Sequence, residues 1–238
     1  FLYLFGNNWN SHLAHSSFMN IIASISLYYF LKQYELKISY NFFYCMCFAT
    51  LCYPLSGTPF AYIHAYIFSL IAIFNLLIAI KKKNRFLWFV FPFICLFAFL
   101  SMQTPTVYIL FILLILLIFH FTKNKEFKSL KFFLLGGISS IIFLFLFLNL
   151  TQTPIINFIY QYILFPITIG EGRITSKEIA YISLLDQLNL KRLLGEFKFI
   201  HLLLLPLIFL SLRIKKYKNV NINYLNFTII FSVLAFFF

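Results

Sequence analysis

Fourteen of the 19 lysines and arginines fall in four short clusters, and each cluster stands in a gap between long apolar runs. The clusters are Lys32 with Lys37; Lys81, Lys82 and Lys83 with Arg85; Lys123, Lys125 and Lys128 with Lys131; and Arg213, Lys215 and Lys216 with Lys218. Two alternate gaps, Pro54 to Pro59 and Ser101 to Pro105, carry no charge. Short basic loops resist translocation, so a chain punctuated in this way crosses an apolar slab again and again with its orientation fixed. The pattern predicts cytoplasmic connections near Lys37, Lys83, Lys125 and Lys216, with Gly57, Gln103 and Glu171 on the outside.

Composition agrees with that reading. With 62% hydrophobic residues, 11% charged residues and a mean hydropathy of +0.92, too little polar surface remains to clothe a water-soluble domain. The net charge of +13 flanks apolar segments instead of lining a soluble face. It therefore implies orientation and attraction to anionic headgroups, and not nucleic acid. Cys45, Cys47, Cys52 and Cys95 lie in or beside apolar runs, where thiols act as small hydrophobes and not as a disulfide or zinc framework.

The expected fold is an all-α polytopic transmembrane bundle. Eight candidate membrane helices run roughly over His12 to Leu31, Ile38 to Tyr53, Phe60 to Ile80, Phe86 to Ser101, Pro105 to Phe121, Phe132 to Leu150, Phe199 to Leu212, and from Tyr224 onward. None of these runs contains Asp, Glu, Lys or Arg. About seven are complete, while the segment from Tyr224 rises only ~22 Å as a helix, short of the ~30 Å hydrocarbon core. The chain thus reads as an internal piece of a longer bacterial inner-membrane protein. Three regions follow: membrane helices over 1–150, an extracytoplasmic loop over 151–198, and the last membrane helices over 199–238.

The outside turns are tight. Pro54 and Pro59 bracket Gly57, a combination that stops one helix and starts another, and Pro105 likewise restarts a helix. Gly136-Gly137, near the cytoplasmic side of the sixth helix, predicts a close helix crossing. The long loop holds four of the six acids, Glu171, Glu178, Asp186 and Glu196. Within it, Ile155 to Phe165 and Ser183 to Phe197 suit short helices lying in the headgroup layer.

Two groups of residues carry potential chemistry. The first is a polar lip on the outside, made of Asn7, Asn8, Trp9, Asn10, His12, His15, His64 and Gln103. His12 and His15, spaced i, i+3, share a helix face, but no carboxylate lies nearby in sequence to complete a metal site, so no metal or other cofactor is called for. The second is Gly170-Glu171-Gly172-Arg173, where flexible glycines flank a carboxylate and a guanidinium suited to phosphate. A loop ion pair accounts for the same residues.

The proline turns carry a resemblance. Pro54-x-x-Gly57-Thr58-Pro59-Phe60, the downstream His64, a basic cytoplasmic loop with Trp88, and a helix ending Ala98-Phe99-Leu100-Ser101-Met102-Gln103-Thr104-Pro105 resemble the middle helices of the GT-C superfamily. These are polytopic glycosyltransferases of the dolichyl-phosphate-mannose and aminoarabinose transferase kind. The resemblance covers about Asn7 to Lys131. Ala61-Tyr62-Ile63 offers no acid beside His64, and Met102 stands near a position where similar chains carry lysine. The resemblance implies transfer of a sugar from a polyprenyl-phosphate donor to an acceptor on the extracytoplasmic face. Arg173, Glu171, His64 and Gln103 would then bind substrate, and an interhelical apolar cleft would hold the prenyl chain. The family's catalytic aspartate sits in its first outside loop, so the catalytic residues are expected outside this chain. Membrane lipid and the lipid-linked sugar are the partners implied.

Other polytopic classes compete. A polysaccharide polymerase or O-antigen ligase also has one large outside loop, but typically with a histidine there, and 151–198 has none. A transporter or flippase generally needs ionisable groups or broken helices at the bilayer midplane.

Overall fold

The computed structural model describes residues 6, 8–34, 36–56, 61–168 and 209. The chain divides into two units, Phe1–Gly170 and Glu171–Phe238, and apart from Phe209 the described residues all belong to the first. Among them every regular element is a helix: α1 (Trp9–Leu31, closed by a 3-10 turn at Lys32–Tyr34), α2 (Ile38–Ser56), α3 (Ala61–Lys82), α4 (Arg85–Ser101), α5 (Gln103–Asn124), α6 (Phe127–Leu150) and the short α7 (Ile155–Ile159), which runs on as a π-helical turn over Tyr160–Leu164.

Three segments are long and apolar enough to cross a membrane: Ala61–Lys82, Thr106–Asn124 and Phe127–Leu150. The described residues therefore support three spans where six of the expected spans fall. The apolar parts of α2 and α4 are shorter, Ile38–Cys52 and Arg85–Ser101, and α1 is diluted by Asn10, His12, His15 and Asn20. The expected helices over 199–212 and from 224 onward, and the loop helix over 183–197, lie outside the described residues. The segment Ile155–Thr168 is helical, apolar and too short to span.

Helix ends do not coincide with span ends. Lysine terminates a membrane span because its ammonium must reach water, yet it is a good helix former. So α3 continues through Lys81 and Lys82, and α5 through Lys123, past the apolar limits. Two similar links then reverse the chain. Lys83 (φ 52°) and Lys125 (φ 49°) take the left-handed conformation, and their amides bond back to the carbonyls of Ala79 and Phe121 at 2.8 and 3.1 Å. The next residue, Asn84 or Glu126, leaves that conformation and starts the following helix. At the other end α2 runs through Pro54 to Ser56, three residues beyond the stop expected at Tyr53.

The hub is α3, which packs against α1, α4 and α5, while α4 also packs on α6. Ala72, Leu76 and Ala79 of α3 form one core cluster with Trp88, Phe91, Leu113 and Leu117; Ile63, Ile67 and Ile71 form a second with Met19 and Ala23 of α1. By contrast α6 turns Ile138, Ile141, Ile142, Phe145 and Leu146 outward, and α5 turns out Phe111 and Ile118. Such uncovered apolar faces suit lipid, which solvates them without penalty, and not water.

The glycine pair behaves asymmetrically. A Cβ on Gly136 would fall 2.1 Å from the Phe89 carbonyl oxygen, so the α4 and α6 backbones touch there, as expected of a close crossing. Nothing lies within 4 Å of a Cβ on Gly137.

Candidate functional site

The bundle gathers polar side chains at two ends. At the end opposite the lysine clusters, Asn8 caps α1: its Oδ1 accepts from the Ser11 amide at 2.9 Å and the Ser11 hydroxyl at 3.1 Å. One turn on, His15 Nε2 lies 3.2 Å from His64 Nε2 of α3, with ring centroids 4.9 Å apart. One imidazole donates and the other accepts, so a single proton is shared between helices 49 positions apart in sequence. The two histidines expected on one side of the bundle therefore meet. Gln103 begins α5 half-buried, and its amide makes no hydrogen bond to a described residue. Glu171 and Arg173 lie outside the described residues. Among the described residues no three His, Cys, Asp or Glu side chains group to hold a metal ion.

Beside His64 a groove of about 380 Å³ opens between α2 and α3. It is lined by Phe48, Leu51 and Cys52 on one wall and by Tyr62, Ile63, Tyr66, Ile67 and Leu70 on the other. Its walls are apolar, and its phenols are the polar groups nearest to hand.

The second cluster, at the basic end, escapes the sequence reading. Trp88, inside the helix expected over Phe86 to Ser101, is fully buried within α4, four residues past its Asn84 cap. It stacks on His120 of α5, centroids 5.6 Å apart and planes at 25°. Asn124 Nδ2 sits 2.9 Å from His120 Nδ1, and His120 Nε2 is 3.6 Å from Glu126 Oε2, beyond hydrogen-bond length but within ion-pair range. Glu126 also accepts from the Ser129 hydroxyl at 3.2 Å and from Lys83 Nζ at 2.7 Å. Burial alone would push the Glu126 carboxyl up, but the hydrogen bond and charge of Lys83, with the Ser129 hydroxyl and His120, together hold it below the usual carboxylate range. The one signal in the sequence was Glu126 itself, a solitary acid among four lysines. His120 sits in an unbroken apolar run, and only the fold shows what it faces.

The basic end is also tied by Lys81, whose ammonium donates to the Gln33 carbonyl and lies 4.9 Å over the Tyr34 ring, and by Arg85, 5.7 Å over Phe132. These contacts bring the connections near Lys37, Lys83 and Lys125 to one end, the grouping that the charge alternation requires.

No family model matches the chain, and no curated protein or solved structure is similar to it.

Proposed function

We propose that this chain is part of a polytopic membrane glycosyltransferase that takes a sugar from a polyprenyl-phosphate donor on the face opposite the basic connections. The observation that carries the reading is the apolar groove between α2 and α3, which starts one residue from His64 at the end where the resemblance puts the donor. A prenyl chain has no polar group, so a groove of Phe48, Leu51, Ile63, Ile67 and Leu70 receives it by dispersion and shape alone. His64 follows the groove-lining Ile63 in sequence, and in this reading its pair with His15 offers an imidazole N–H or lone pair to the donor phosphate. The donor phosphate also needs a cation, and Arg173 is the residue that the sequence offers for it, through the fork that guanidinium makes to phosphate oxygens. What supports this orientation is that the ten cations of the described residues all lie in or beside the connections of one end, as short basic loops on the untranslocated side would.

The test is photo-crosslinking of a diazirine-bearing polyprenyl phosphate to the purified protein in nanodiscs. Adducts should map to Leu51, Tyr62 or Tyr66 and should be competed by unlabelled polyprenyl-phosphate-sugar. In the same assay Arg173→Ala should weaken donor binding about ten- to a hundredfold. Adducts competed equally well by free polyprenol, or spread evenly over α5 and α6, would mean a lipid-facing surface without a donor site.

A further inference from the structure

A second cavity, of about 280 Å³, lies between α1 and α3 at the basic end, far along α3 from the histidine pair. Exposed Lys82 and Asn84 line it at the end of α3, Ile71, Phe74 and Ile78 line it farther along that helix, and Ser26, Tyr29 and Gln33 of the α1 segment complete the lining. Asn75 of α3 stands among them. This residue is nine-tenths buried and lines the cavity, its Oδ1 has no hydrogen-bond partner, and its amide makes no bond to any described residue. The Nδ2 protons are the part of this side chain that an acceptor in the cavity can take. The cations at this end of α3 divide their work. Lys81 is committed to the Gln33 carbonyl and Lys83 to Glu126, whereas Lys82 makes no ion pair with a described residue.

The ordering of these groups specifies a ligand. Along a helix, the seven residues from Lys82 to Asn75 span ~10 Å, and the eleven from Lys82 to Ile71 span ~16 Å. A molecule that fits must carry negative charge at the Lys82 end, a hydrogen-bonding group part-way along, and hydrocarbon beyond. A glycerophospholipid has that order: phosphate, ester carbonyls, acyl chain. The field selects the anionic kind, since the described residues hold ten Lys and Arg against a single acid, Glu126.

The geometry points to a binding site for one anionic glycerophospholipid between α1 and α3, with its phosphate on Lys82 and Asn84, an ester carbonyl accepting from Asn75 Nδ2, and an acyl chain against Ile71, Phe74 and Ile78. The site is separate from the groove beside His64 and does not depend on the transferase reading. It requires that α3 cross the bilayer with Lys82 at a headgroup layer. A soluble phosphate ester shares the headgroup chemistry but has nothing to place on the apolar stretch.

Trp88 follows the cavity-lining Leu87, and the other tryptophan, Trp9, stands exposed at the first turn of α1. A Trp9→Phe variant therefore leaves a single reporter near the site. In nanodiscs of phosphatidylcholine, added phosphatidylglycerol with brominated acyl chains should quench Trp88 saturably, and brominated phosphatidylcholine should do so only in proportion to its bulk fraction. Lys82→Gln and Asn75→Leu should each weaken the saturable phase about fivefold, and Lys82→Arg should retain it. Helical circular dichroism and the Lys82→Arg control separate loss of the site from loss of the fold. Equal quenching by the two lipids, or an unchanged midpoint in both weakening variants, overturns the proposal in favour of ordinary boundary lipid. Full competition by glycerol 3-phosphate overturns it in favour of a soluble ligand.

Discussion

The two ends of the bundle are fastened by different chemistry. At the basic end, Lys81 reaches the end of α1, Lys83 meets Glu126 across the α5–α6 link, Arg85 covers Phe132, and Trp88 and His120 stack beneath them. At the opposite end the contacts among the described residues include the His15–His64 pair and the Thr106 hydroxyl on the Ala98 carbonyl at 3.0 Å, and the groove between α2 and α3 stays open. Cations required in the connections for topology become cross-links once a single acid and a few carbonyls stand among them. The open groove makes the neutral end the one we expect a ligand to enter. Disturbing each end in turn tests how far this contrast extends.

The largest disturbance is at the α4–α6 crossing, nine residues inside the basic end. Gly136→Ala drives a methyl into the Phe89 carbonyl, which belongs to a helix backbone and cannot rotate aside, so the helices must separate. We expect a loss of about 3 kcal/mol, read by unfolding in mixed detergent micelles. Gly137→Ala meets open space and should gain about 0.5–1 kcal/mol from helix propensity. If the two variants behave alike, the crossing at Gly136 is not the contact that holds α6.

Trp88→Ala comes next. The indole is fully buried against His120 and Phe121, and its removal leaves a cavity that lipid cannot reach. Because helix association in a bilayer lacks the water-to-oil term, the cost is mainly lost dispersion, roughly 2–3 kcal/mol. Amide exchange should rise at the basic end and stay unchanged around His15. Equal loosening at both ends would erase the contrast.

The sequence exposes the membrane helices but not their joints. Apolar runs and lysine clusters place all six long helices of the described residues to within about five residues, because both follow from the cost of burying charge in hydrocarbon. The true ends depend on left-handed links at Lys83 and Lys125, which any residue but glycine adopts only under tertiary compulsion. Likewise the pairing of His15 with His64 rests on α1 and α3 being neighbours, and spacing along one chain says only that both lie at the same end. Gly136 was legible as a crossing because glycine inside a membrane helix has few other uses; which of the two glycines makes it was not.

At the neutral end, His64→Ala removes the imidazole contact between α1 and α3. The expected cost is about 1 kcal/mol, that of one partly buried hydrogen bond. His64→Gln, which can still bond to His15, should recover part of it. Crosslinking of the diazirine probe in the α2–α3 groove should change in His64→Ala without a change in amide exchange at the Lys83 link. A shift at both places would show that the two ends are coupled and not independent.

The smallest effect is also the one with a defined pH dependence. Glu126 is mostly buried, but Lys83 is 70% exposed at its side chain, so water screens the pair and it contributes under about 1 kcal/mol. The carboxyl is held below its unfolded value, so the native state prefers the ionised form. Its stabilisation is then complete above the ordinary glutamate range and is lost as pH falls through the lower native value. Unfolding measured from pH 7 down to pH 3 should show this acid-side loss in the natural protein. Glu126→Gln should be weaker at pH 7 by the same small amount and should lack that part of the acid dependence, since an amide neither titrates nor attracts the Lys83 ammonium. If Glu126→Gln kept the full acid slope, the charge contacts of Glu126 would not be what fastens the links at the basic end, and the Trp88–His120 stack with the Lys81 and Arg85 contacts would have to do so.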